Sequence, residues 1–242
     1  MVNLSGSNVL YRNLEGEGFA DVTAAAGVGD AAALVSMGAI FTDTDNDGDV
    51  DILAIEGVST INLTRYLNNG DGTFTSDAQV INASPLEKST IALADYDNDG
   101  DLDIALAFEG SQTNGVEIWL NNGNADYVAT NSRLEYTFND LQFREFEVGD
   151  IDGDGWQDII LNPVNGNLFK SANAGNGELY LHNLIWKNNK GIFEKLSKEQ
   201  KITFAQLPTY LKSFVINNKL KFIGIRGNLD GALIITEINP VF

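Results

Sequence analysis

Residues 43–51 read DTDNDGDVD, and the same nine-residue word returns as DYDNDGDLD at 95–103 and as DIDGDGWQD at 150–158. The starts lie 52 and 55 residues apart, so one structural unit recurs about every fifty residues. Short apolar runs flank each copy: MGAIFT and ILAIEG around the first, TIALA and IALAFEG around the second, FEVG and IILN around the third. They are strand-length, rich in Ile, Leu, Val and Ala, and show no helical period. Each aspartate word is therefore read as the turn of a β-hairpin whose two arms are buried.

A second signature fills the space between these loops: an aromatic, an Asn two residues on, and another aromatic seven or eight residues after the first. It appears as LYRNLEGEGF, RYLNNGDGTF, IWLNNGNADY and IWKNNKGIF. The first aromatics, Tyr11, Tyr66, Trp119 and Trp186, keep step with the second, Phe19, Phe74, Tyr127 and Phe193. A lengthened third interval falls on LNPVNGNLFKSANAGNGELYLH, which reads as a long Gly/Asn-rich loop. The Asn/Gly stretch is a second hairpin around turns such as NGDG, which makes four antiparallel strands per repeat.

A four-stranded unit of this length, repeated around an axis, is a β-propeller blade. The expected fold is all-β, one propeller domain over 1–242, with metal-loop blades at about 34–84, 88–130 and 142–197. SFVINNKLKFIGIRG followed by ALIITEI has strand character, with a bare NNK turn in place of an aspartate loop. It is read as a hairpin that has lost its metal. Residues 208–242 then form a last blade with the N-terminal strands 8–24, closing a ring of four blades between the chain ends. The alternative makes ALIITEI a further strand, with five blades or a fragment of a larger ring.

Composition agrees with this class. Glycine is abundant at 24 residues, proline scarce at 4, and 43% of the chain is hydrophobic, which suits many short strands around a core. The formal charge of −19 repels nucleic-acid phosphates and anionic membranes, leaving cations as natural partners. The imbalance is local: residues 1–186 hold 6 Lys/Arg against 30 Asp/Glu, and residues 187–242 hold 9 against 4. With no cysteine, disulfides, thiolate metal sites and cysteine nucleophiles are excluded. No apolar run reaches the roughly 18 to 20 residues of a membrane span, and MVNLSGSNVLYRN lacks the basic and apolar regions of a signal peptide.

The loops point to calcium. Carboxylates at positions 1, 3, 5 and 9 of one loop repel unless a cation sits among them. Calcium accepts six to eight hard oxygens at flexible geometry; magnesium demands a tighter octahedron, and a single His with no Cys argues against zinc. Glycine at position 6 lets the loop turn sharply. The side-chain ligands expected are Asp43, Asp45, Asp47 and Asp51; Asp95, Asp97, Asp99 and Asp103; and Asp150, Asp152, Asp154 and Asp158. The position-7 carbonyls of Asp49, Asp101 and Trp156 complete three calcium sites. An EF-hand shares the opening of the pattern but needs a Glu at position 12, where this chain has Ala54, Leu106 and Leu161, and flanking helices.

The triple DxDxDGxxD, each copy set between short apolar strands and followed by an LNNGDGTF-like stretch, resembles the FG-GAP/VCBS repeat family over roughly residues 8 to 200. The stretch YRNLEGEGFADVTAAAGVG also looks like a motif that recurs in such proteins. The resemblance implies a β-propeller with calcium in the loop between the first two strands of each blade, as in integrin α-chain heads and many secreted proteins.

Other residues carry less. His182 is the single histidine and reads as structural or surface; no triad or His base has support. The aromatics Tyr11, Tyr66, Trp119 and Trp186 are read as equivalent core positions rather than sugar-stacking platforms. The lysine-rich stretch 187–201 is read as a solvated face rather than a docking patch. Of the 34 acidic residues, 14 already lie in the loops, which disfavours paired catalytic carboxylates. The expected function is a non-catalytic calcium-binding module for protein or glycan partners, extracellular, periplasmic or at a cell surface, alone or within a larger surface protein. A lectin-like propeller is the alternative, and a polysaccharide-acting enzyme the third.

Overall fold

Apolar strand pairs joined by aspartate turns can bury both arms only by adding further strands on their open edge, and the sheets form in that way. The structure, a computed structural model, describes residues 8–29, 36–56, 62–77, 88–109, 115–135, 143–163, 177–180, 185–195, 201–204, 210–217, 219–225 and 233–238. The chain divides into two compact units, Met1–Ser89 with Asn121–Tyr127, and Thr90–Leu120 with Val128–Phe242.

In the first unit, β1 (Tyr11–Asn13) and β2 (Phe19–Asp21) form a hairpin sheet of their own, followed by a single helical turn, α1 (Thr23–Ala26). Asp21 Oδ1 accepts from the backbone and hydroxyl of Thr23, and Gly27 closes the turn at φ 76°. The strands β3 (Ser36–Thr42), β4 (Asp51–Glu56), β5 (Asn62–Asn68) and β6 (Phe74–Asp77) then make a four-stranded antiparallel sheet in chain order. Its core gathers Ala26, Val28, Ile52, Ala54 and Tyr66, with Leu10, Val22 and Phe74 packed alongside.

The second unit takes in most of the next sheet, made of β7 (Lys88–Ala94), β8 (Asp103–Glu109), β9 (Gly115–Asn121) and β10 (Tyr127–Glu135). The third sheet orders β11 (Phe143–Gly149), β12 (Asp158–Pro163), β14 (Ile185–Asn189) and β15 (Ile192–Lys195). On β12, Ile159, Ile160 and Leu161 are all buried, so the strand is covered on both faces, which is why its sequence shows an apolar run and no alternation. These residues share one core with Tyr96, Ile118, Ile151, Ile185 and Trp186.

Two expectations need correction. The Gly/Asn-rich insertion is not loop throughout: β13 (Gly177–Tyr180) pairs antiparallel with β16 (Lys201–Phe204) as a separate two-stranded sheet. The C-terminal hairpin of β17 (Tyr210–Val215) and β18 (Leu220–Ile225) does form, around Ile216 and Lys219, which exchange backbone hydrogen bonds. However, the free edge of β18, expected to receive the N-terminal strands, is taken by β19 (Leu233–Ile238) in an unbroken antiparallel register. A strand eight residues downstream closes a far shorter loop than one at the other chain end. Among the described residues the C-terminal sheet consists of these three strands, with ALIITEI supplying a further strand as in the alternative given to it.

Neighbouring sheets of the second unit lock through polar and steric detail. The buried Asn162 Oδ1 accepts from the backbone N–H and the hydroxyl of Ser213, at 2.7 and 2.6 Å, which ties β12 to β17. A Cβ on Gly149 would lie 2.9 Å from Val215 Cβ, so β11 approaches β17 only because residue 149 has no side chain.

Candidate metal centre

All three aspartate loops wind in one way. The position-6 amides of Gly48, Gly100 and Gly155 each donate to Oδ2 of the position-1 aspartate, Asp43, Asp95 or Asp150, at 3.0 Å. The position-7 amides of Asp49, Asp101 and Trp156 donate to Oδ1 of Asp47, Asp99 and Asp154 at 2.8, 2.9 and 3.0 Å. This winding needs left-handed backbone at position 4 as well as position 6: Asn46, Asn98 and Gly153 sit at φ 61°, 59° and 82°. Asn and Gly are the residues that take this conformation most readily, so position 4 was legible beside the glycine, although the expected site did not use it.

The winding gathers carboxylates. Asp43, Asp45 and Asp51, then Asp95, Asp97 and Asp99, then Asp150, Asp152 and Asp158 each offer one oxygen, and within each group these oxygens lie within 4.8 Å of one another. Each group could hold a metal ion. The donor set fits a hard cation, being all carboxylate oxygen. In the first loop Asp43 Oδ1 is buried with no hydrogen-bond donor among the described residues, an arrangement a bound cation would satisfy.

The position-9 aspartates differ from the rest. Asp51, Asp103 and Asp158 are fully buried, whereas Asp47, Asp99 and Asp154 are exposed. Oδ2 of each buried carboxylate accepts from the position-2 amide of its own loop: Thr44 at 2.9 Å, Tyr96 at 2.7 Å and Ile151 at 2.9 Å. Oδ1 of Asp51 and of Asp158 accepts from Asn68 and Asn188 in the next strand at 2.7 and 2.8 Å. Asp51 and Asp158 therefore clamp loop to sheet as well as belonging to their carboxylate groups, whereas Asp103 stands outside the group of Asp95, Asp97 and Asp99.

The asparagine of the aromatic signature is the residue that sequence reasoning missed. Asn121 Nδ2 donates to the Thr44 carbonyl, and Asn188 Nδ2 to the Tyr96 carbonyl, both at 2.8 Å and both buried. An asparagine from one repeat thus holds position 2 of the preceding repeat's loop. Its recurrence in all four copies of the signature was the available signal.

The third loop holds a cation of its own. Lys187 Nζ contacts Asp152 Oδ2 and lies 3.0 Å from Asp154 Oδ2. The stretch 187–201 was read as a solvated face, and for Lys187 this is corrected: its side chain reaches into the loop, because β14 pairs Trp186 with Ile159 directly after Asp158. The remaining signature positions divide. Tyr66 and Trp186 are core, as expected; Tyr11 is 46% exposed and departs from that expectation, and Trp119 is partly buried. His182 lies outside the described residues.

Crowding shows in the titration of these groups. Burial first, then neighbouring loop carboxylates, hold Asp45 and Asp97 above the ordinary carboxylate range. Asp158 is pushed up to about 7, by burial foremost and also by the Asp152 and Asp154 charges, against the pull of the Ile151 and Asn188 amides. Asp154 goes the other way: burial raises it, but the Lys187 ammonium and the Trp156 amide together outweigh burial.

An unfolded Asp titrates near 3.9, so between about pH 4 and 7 the folded state, through Asp158, binds more protons than the unfolded one. Its contribution to stability therefore declines as pH rises through that window; the lowered Asp154 acts only at the acid end, below about pH 4. In excess chelator the melting midpoint should be lower at pH 8 than at pH 5, with a carboxyl-carbon NMR titration assigning the step to Asp158. A flat or rising midpoint would contradict the burial described.

Residues 43–106 and 95–161 match the FG-GAP-like repeat family. No curated protein matches the chain. The matched stretch opens at Asp43 and runs past Asp158, so it contains the three loops that wind alike. Over residues 43–161 the chain is built of FG-GAP-like repeats.

Proposed function

We propose that this protein is a calcium-binding, non-catalytic β-propeller module in which calcium is structural and the surface outside the loops meets a protein or glycan partner. The observation that carries the proposal is the threefold recurrence of carboxylate oxygens within 4.8 Å of one another at the same point of three hairpins. One such cluster is ordinary on an acidic surface; three, wound by the same amide bonds around the same glycine, are a repeated device. Asp43, Asp45, Asp47 and Asp51 and their counterparts in the other loops hold the ion, with the carbonyls of Asp49, Asp101 and Trp156. The four-stranded sheets serve as blades of one propeller domain.

Calcium acts here by mass action on folding. Sites of extracellular type have dissociation constants of about 10⁻⁴ to 10⁻³ M, so at tenfold excess each ion adds about 1.4 kcal/mol. Such sites fill outside a cell and stay empty in the cytosol, which supports reading the module as extracellular, periplasmic or at a cell surface. Among the described residues no helix is long and apolar enough to cross a membrane.

The test is a thermal melt in excess chelator against millimolar calcium, beside the variant Asp47→Ala, Asp99→Ala, Asp154→Ala. Calcium should raise the wild-type midpoint by several degrees and leave the triple variant nearly unmoved. A wild-type midpoint indifferent to calcium would overturn the proposal.

A further inference from the structure

The three loops are alike in winding but not in what faces them. In register, the residue after the first aromatic of the signature is Leu67 beside the first loop, Leu120 beside the second and Lys187 beside the third. The cross-strand pairs that fix this are Ile52 with Tyr66, Ile104 with Trp119 and Ile159 with Trp186. Of the three copies of the signature that stand beside an aspartate loop, one carries an ammonium at this position and two carry an apolar side chain. The ammonium reaches two of the expected ligands, Asp152 and Asp154, and the pair is only partly open to water, with 23% of the Lys187 side chain and 14% of that of Asp152 exposed. The same loop carries Trp156 at position 7, where the other two carry Asp49 and Asp101, so it holds four carboxylates and they hold five.

We infer that the third loop is filled by the chain's own cation, Lys187, and that calcium enters it only by displacing that side chain. The inference rests on the calcium function proposed above and changes its stoichiometry: two ions bind readily, and the third only at much higher concentration. The physical reason is competition. Charge-assisted bonds to Asp152 and Asp154 must be broken, and the lysine swung into water, before calcium gains the same oxygens. Leu67 and Leu120 impose no such step. Occupancy by the lysine also gives the third loop a metal-independent state, so the sheet of β11, β12, β14 and β15 keeps its loop ordered when calcium is low.

Equilibrium dialysis with radioactive calcium tests this on the full chain, on Lys187→Met, which keeps the aliphatic stem and drops the charge, and on Lys187→Arg, which keeps the charge. Folding of each variant is checked by far-UV circular dichroism. Wild type and the Arg variant should fill two sites together, with a third at least about tenfold weaker, and the Met variant should fill three of like affinity. Three equal sites in the wild type, unaltered by Lys187→Met, would overturn the inference and leave the calcium function standing. No calcium uptake by any of the proteins at millimolar concentration would overturn both.

Discussion

Asp51→Ala is expected to destabilise the protein by about 2 to 6 kcal/mol in chelator, where no ion contributes, and by somewhat more in calcium. Its carboxylate is fully buried and accepts from the backbone amides of Thr44 and Asn68, and from the Thr44 hydroxyl. Removing the acceptor strands these donors, and each unsatisfied buried amide costs about 1 to 3 kcal/mol. Asp47→Ala in the same loop should behave differently. Asp47 is exposed and its oxygen serves the exposed amide of Asp49, so its loss should cost under about 1 kcal/mol in chelator and more when calcium is present. Urea unfolding followed by far-UV circular dichroism gives the stability, and hydrogen exchange of the Thr44 amide reports the clamp directly. If the cost of Asp51→Ala vanished in chelator, Asp51 would be a ligand only, and the clamp between loop and sheet would be wrong.

That contrast marks where the sequence stops being legible. The spacing DxDxDGxxD announces its turn because each residue type has a local job: carboxylates wrap inward on their own amides, and Asn46, Asn98, Gly48 and Gly100 take the left-handed angles. Local rules also gave the apolar hairpin arms, hence β3 with β4 and β11 with β12. What spacing does not show is which aspartate is turned to the sheet, since that depends on a strand some seventeen residues on, where the Asn68 amide meets Asp51. The same holds for Lys187: nothing in a lysine-rich stretch marks one member as facing a loop 35 residues earlier until the register of β12 and β14 is fixed. The competition for the edge of β18 was a choice between a near strand and a distant one. Loop-closure entropy favours β19, and composition alone does not decide it.

Trp186→Ala is expected to cost about 3 to 5 kcal/mol, the range for removing a buried large aromatic. The ring is 1% exposed, in one core with Tyr96, Ile151, Ile159 and Ile185, and Lys195 Nζ stands 5.9 Å from its centre. The loss should exceed the cavity itself, because Trp186 precedes Lys187 and Asn188 on β14. Once the ring is gone, the strand that holds the Tyr96 carbonyl through Asn188 is no longer pinned by its largest side chain. Trp186→Phe, which retains an aromatic ring, should recover a good part of the loss. Urea unfolding of both variants decides this, and a neutral Trp186→Ala would mean that the residue is not core. The result also bears on sugar binding. A stacking platform needs an open ring face, and Trp186 offers none, so any fall in glycan binding by Trp186→Ala should track unfolding. Among the described residues the open aromatic faces are Tyr11 and Phe19, 46% and 71% exposed on the β1–β2 hairpin, and Phe41, 60% exposed on β3. Replacing Tyr11 or Phe19 with Ala should change stability by no more than about 0.5 kcal/mol. Glycan binding that survived Trp186→Phe and fell with Tyr11→Ala or Phe19→Ala would therefore locate a sugar surface on that hairpin.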